Sequence, residues 1–147
     1  MNTLNTDKKI IGRLEYVSFP EFGIENIEAK IDTGAYSGSI HVSSIEEFID
    51  EDKPVLRFVL LDEDHPDYNT KEIVTHDFFS NYVRSSNGSQ KRYFIKTKLE
   101  IAGESFYTIF SLANRSSMRR FILLGRKNIR HRFLVDVSKT FLLDRKN

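Results

Sequence analysis

Apolar and polar residues alternate with a period of two along much of this chain, the spacing of strands that bury one face. Ile27, Ala29 and Ile31 are separated by Glu28 and Lys30. Tyr93, Ile95, Thr97, Leu99 and Ile101 share one face, while Lys96, Lys98 and Glu100 share the other. Ala102-Gly103-Glu104 then turns the chain into residues 106–112, the clearest hairpin in the sequence. Residues 10–19 read as one extended segment ending at Pro20, with Glu21-Phe22-Gly23 as its turn, and residues 55–61 as a strongly apolar strand. Residues 71–84 read as an irregular strand closed by Ser85-Ser86-Asn87-Gly88, and residues 121–125, 133–135 and 140–143 supply the last strands. Helical signals are few: Ser44 is placed to cap a turn reaching Glu47. The pattern predicts an all-β fold, closed or sandwiched, with at most one or two short helices.

Length and charge narrow the picture. The 147 residues suit one domain with a real core, read here as residues 9–147 after a flexible segment at 1–8. With 22 Lys+Arg against 21 Asp+Glu, the whole-chain charge points to no polyanionic partner, and no aromatic-basic module marks a nucleic-acid binder. The chain has no cysteine, which removes disulfides, thiolate zinc sites and a cysteine nucleophile and fits a reducing cytoplasm. No stretch approaches the ~20 apolar residues of a membrane span, so no membrane association is expected.

Chemistry concentrates where the strand ending at Ile31 runs into Asp32-Thr33-Gly34-Ala35. Gly34 permits a tight turn, so a carboxylate can be presented at the strand end between small neighbours. An isolated Asp-Thr-Gly is more often a plain turn in which Asp bonds its own backbone. Some ninety residues on stands Ile122-Leu123-Leu124-Gly125-Arg126, bulky apolar residues before a glycine. Together these two segments resemble the retropepsin-like aspartic proteases, in which Asp-Thr/Ser-Gly-Ala follows a buried strand and a hydrophobic-hydrophobic-Gly segment packs behind the catalytic loop. The chain is most similar to a bacterial group labelled ATP-dependent zinc proteases. Matching stretches are residues 11–17, 29–35 and 39–41, Arg84-Ser85-Ser86, Asn114-Arg115-Ser116-Ser117-Met118-Arg119, residues 123–126 and Phe133-Leu134-Val135-Asp136. One departure lies beside the loop: where the group tends to carry Thr-Ser, Tyr36 is followed here by Ser37-Gly38.

The resemblance implies an acid-protease barrel of mostly antiparallel strands and an aspartic endopeptidase. Two carboxylates sharing one proton are needed, because like charges about 3 Å apart do not both ionise. The chain has one Asp-Thr-Gly, so the dyad would pair Asp32 with Asp32 of a second copy, supported by Thr33 and Gly34, in a homodimer cutting peptides. The alternative is a non-catalytic peptide- or protein-binding module on the same fold. A third reading uses His41 with Asp32 on a metal. However, His41, His65, His76 and His131 are widely spaced, no Gly-rich phosphate loop is present, and neither a metal nor another cofactor is assigned. The group's label also hints at an ATP-grasp ligase as partner.

Between positions 115 and 132 the chain carries Arg115, Arg119, Arg120, Arg126, Lys127, Arg130 and Arg132 and no acidic residue. The ordinary reading is a solvated surface answering the acidic segments 46–52 and 62–64. The functional one is recognition of acidic peptides, for which Arg is suited by its bidentate fork. Ala35, Arg115, Arg119 and Arg126 are the candidate substrate-binding residues. The loop at 85–90 is a candidate flap, and Phe78, Phe79, Phe106, Tyr107 and Phe110 are expected to serve core or dimer packing.

Overall fold

The structure is a computed structural model that describes residues 8–86, 88–114 and 120–142. Eleven strands and one helical turn make up its regular structure, with a 3-10 turn at Pro20–Phe22. In chain order they are β1 (Lys9–Ile11), β2 (Leu14–Phe19), β3 (Ile24–Ile31), β4 (Gly38–Asp50), β5 (Lys53–Leu60) and β6 (Glu72–Thr75). There follow β7 (Phe78–Ser85), β8 (Gly88–Ile101), β9 (Glu104–Ala113), β10 (Ile122–Leu124), α1 (Arg126–Ile129) and β11 (Phe133–Val135). The all-β class read from the alternation is the class observed. No helix among the described residues is long and apolar enough to cross a membrane.

The alternation reports the inward faces directly. Ile27, Ala29 and Ile31 are buried on β3, and Ile95, Thr97, Leu99 and Ile101 on β8. Strands β10, β3, β2, β8, β9 and β4 are hydrogen-bonded in that order, and β10 pairs again with β4, so the six form a closed ring. Most pairings are antiparallel, but β10 runs parallel to β3 and β4 parallel to β9. The ring encloses Phe19, Phe110, Ile40, Leu99, Ile122 and Leu124, each fully buried. Side chains of this size contribute roughly 1.5–3 kcal/mol each on burial.

Several boundaries differ from the sequence reading. The segment 10–19 is two strands, because β1 leaves the ring to pair with β11 and the chain breaks at Gly12-Arg13. Ser44 caps no helix. It lies within β4, which passes a register shift between Val42 and Ser44 and continues as an arm paired with β5, itself paired with β6. Tertiary pairing with the apolar strand β5 overrides the local capping signal here. The segment 71–84 divides into β6 and β7 around His76-Asp77. Residues 140–142 form no strand but lie against β2, with the Phe141 amide donating to the Leu14 carbonyl at 2.8 Å and its ring stacked on Tyr16. Leu143, like Arg115 and Arg119, lies outside the described residues.

Candidate active site

Strand β3 ends at Ile31, and its parallel neighbour β10 matches it residue for residue, Leu124 facing Ile31. The ladder extends one step further, because the Asp32 amide donates to the Leu124 carbonyl at 2.8 Å. Asp32 is therefore fixed at the end of a central strand, half-buried, with its carboxylate directed into the turn that follows. Gly34 donates its amide to Asp32 Oδ1 at 2.9 Å, and the Ala35 amide bonds the Asp32 carbonyl at 3.2 Å. A backbone N–H on a carboxylate oxygen orients the side chain. Thr33 and Gly34 are exposed beside it.

The apolar-apolar-Gly segment packs behind this loop, as the resemblance implies. A Cβ on Gly125 would lie 2.7 Å from the Ser37 carbonyl carbon and 2.8 Å from the Ala35 oxygen, so only glycine lets the two backbones meet. Arg126 and Lys127 donate their amides to the Ala35 and Tyr36 carbonyls, each at 2.8 Å, and the Arg126 guanidinium donates to the Thr33 carbonyl at 3.0 Å. Gly38 is as tightly seated, its Cβ position 2.4 Å from Asn128 Oδ1 and 2.5 Å from the Leu123 carbonyl. Asn128 links these parts. Its carbonyl accepts from the Gly125 amide at 2.9 Å, while its amide donates to the Thr108 hydroxyl at 2.9 Å and the Ile109 carbonyl at 3.0 Å.

Asp32 opens onto a cleft of about 430 Å³ whose wall includes Lys30, Ala35, Tyr36, Arg92, Phe94 and Ser111. Asp32 is the sole acidic residue among its described lining residues. Of the sequence candidates, Asp32 and Ala35 line the cleft, Arg126 braces the loop from its edge, and Arg115 and Arg119 lie outside the described residues. Lys30, Arg92 and Phe94 were missed. The signal for Phe94 was present, since a large aromatic stands on the otherwise charged face of β8, and it stacks on Phe79 with ring centroids 4.9 Å apart. The candidate flap is the tip of the β7–β8 hairpin, whose stem supplies Arg92 and Phe94.

The other residues singled out by the sequence fall in different places. Phe106 and Phe110 are core residues, whereas Phe79 and Tyr107 are half-exposed. Among the described residues of the acidic segments, Glu46 bonds Arg57, Glu47 bonds Lys91 at 2.8 Å and Asp62 bonds His41 at 2.7 Å. His41 is buried, stacked on Phe121 and held by Asp62, an arrangement that suits a structural imidazole. Among the described residues no cluster of His, Asp and Glu is placed to hold a metal ion.

A strand-end aspartate bonded by its own glycine, a glycine-seated hydrophobic strand behind it, and a ring of strands around both are the arrangement that the retropepsin resemblance implies. The match to known families agrees: the model of the RimB-like family, described as retropepsin-like aspartic endopeptidase RimB, covers residues 10–146. The chain belongs to that family. Similar relatives carry another name. A probable alpha-L-glutamate ligase of Shewanella pealeana is 35% identical over 97% of this chain, and one of Desulfotalea psychrophila is 34% identical over 88%. This chain spans 31% and 28% of their lengths, less than a third. Among solved structures, a Legionella pneumophila protein of unknown function superposes with a TM-score of 0.70 at 25% identity, over 91% of this chain and 97% of that one.

Proposed function

We propose that this chain is an aspartic peptidase that works as a homodimer, with Asp32 of each copy forming the dyad and an acidic peptide as substrate. The observation that carries the reading is the cleft, which offers one carboxylate, Asp32, against the cations Lys30 and Arg92. One carboxylate cannot be base and acid at once. A second copy across a two-fold axis supplies the other, and the pair then titrates as a unit. One Asp32 removes a proton from water while the other, protonated, polarises the scissile carbonyl. The exposed Thr33 and Gly34 sit where the two loops would meet. Lys30 and Arg92, with Arg126 at the edge, favour side-chain carboxylates in the peptide.

The relatives named as glutamate ligases carry a stretch like this chain inside a longer protein. That arrangement favours a ligase of that kind as partner and a glutamate-containing peptide as substrate. The test is cleavage of a peptide library rich in Glu-Glu bonds by wild type and Asp32→Asn, across about pH 4 to 8. The reading expects cuts that vanish in the variant and a dimer by sedimentation. A folded dimer that binds these peptides and cuts none would make the chain a binding module. A strict monomer that cuts them would refute the shared dyad.

A further inference from the structure

The segment from Arg126 to Arg132 makes one helical turn and a bend, and this geometry gathers its cations. Arg126 and Arg130 are four apart, on one side of α1, with the Arg130 amide donating to the Arg126 carbonyl at 2.9 Å. Both guanidinium groups lie over the Tyr36 ring, at 5.7 and 5.6 Å from its centroid, and Lys127 Nζ is at 5.8 Å. Like charges at this spacing repel, and the face of an exposed ring offsets only part of that. None of Arg126, Lys127, Arg130 or Arg132 has a carboxylate partner among the described residues.

Tyr36 is also a wall of the Asp32 cleft. Lys127 and Arg130, both over the Tyr36 ring, join His131, Arg132, Tyr107 and Thr108 around a second hollow of about 380 Å³. Arg132 is laid over Phe106, 3.9 Å from the ring centroid, which fixes its guanidinium there. Among the described residues no carboxylate lines this hollow. Glu21, hydrogen-bonded to the Tyr107 hydroxyl at 2.8 Å, lines the neighbouring cleft and is also held by Thr97.

We infer that this hollow is a second anion-binding subsite, which takes carboxylates of an acidic peptide beyond the residues seated at Asp32. The inference rests on the acidic-substrate reading and adds to it a preference for length. Lys30 and Arg92 line the cleft, Lys127 and Arg130 stand over its Tyr36 wall, and Arg130 and Arg132 line the hollow. A short acidic peptide fills the cleft alone, whereas a longer one reaches both sites and relieves the repulsion around Tyr36.

The experiment compares labelled di-glutamate with an oligo-glutamate of about ten residues, roughly 35 Å when extended. Binding to the full Asp32→Asn chain is followed by fluorescence anisotropy at low and high salt. Replacing Arg130 and Arg132 together by Ala is expected to weaken the long peptide roughly tenfold at low salt and leave the short one unchanged. The difference should shrink as salt rises. Arg130→Gln alone, which leaves Arg132 on Phe106, should act in the same direction. A double Lys53→Ala, Lys71→Ala variant removes equal charge from the arm and should change neither. Equal weakening by the arm variant, or no weakening by the Arg variants, overturns the subsite while short-peptide binding leaves the acidic reading standing. Failure of both peptides to bind overturns the acidic reading itself.

Discussion

Asn128 offers the sharpest test of how the active loop is held. The side chain is buried, 1% exposed, and makes three hydrogen bonds that tie the start of α1 to β9. In Asn128→Ala the buried Gly125 amide loses its acceptor, which costs about 1–3 kcal/mol, and two further bonds of about 0.5–1.5 kcal/mol each are lost. The expected destabilisation is therefore about 3 kcal/mol. With a urea dependence of about 1–3 kcal/mol per molar, the unfolding midpoint should fall by about 1–3 M. Asn128→Asp keeps the acceptor for Gly125 but sets a carboxylate against the Ile109 carbonyl. Its folded-state pKa should therefore be raised, and its deficit relative to wild type should narrow as pH falls and the acid becomes a donor. A midpoint shift of less than about 0.3 M for Asn128→Ala would refute the view that this side chain organises the loop.

Two further predictions concern other carboxylates. The Glu21 carboxyl is held below its ordinary value of 4.5, first by the Tyr107 hydroxyl, against an opposing desolvation and with help from Thr97. A lowered folded-state value contributes stability above the ordinary pKa that is lost as pH falls through the folded one. Wild type should therefore lose its advantage over Glu21→Gln between about pH 5 and pH 3, and parallel stability curves would refute this. Glu15 is fully buried and accepts the Gly12 amide at 2.7 Å and the Leu142 amide at 3.0 Å. Glu15→Ala should release the C-terminal segment, seen as faster hydrogen exchange at Leu142 and Phe141 with β9 unchanged. Equal protection in both proteins would count against the anchor.

Much of this was legible in the chain because strands report their faces by alternation, and because the aspartate turn and its glycine backing each require particular small residues. What escaped depends on pairing between distant segments. The polar face of β8 looked solvent-exposed throughout, yet its first part, Arg92 and Phe94, forms the cleft wall because Ser111 and Ser39 stand beside it in register. Glu15 falls on the inward face of β2, and nothing local announces that a carboxylate there has two backbone amides to serve. Asn128 follows Gly125 by three residues, a spacing at which a side chain can reach back to the amide that opens a helix. Its other partners, on β9, have no local trace.

Strand β4 belongs to two bodies at once. Its first residues, Gly38 to His41, are locked into the ring between β9 and β10, and its last, to Asp50, form the arm with β5. At about 3.3 Å per residue its 13 residues make a beam on the order of 40 Å long. The root of that beam is Gly38, wedged against Asn128 and the Leu123 carbonyl, and its pairing with β5 shifts register between Val42 and Ser44. The tip of the arm, at Asp50, and the ring residues beside the Asp32 loop are thus carried on one unbroken strand.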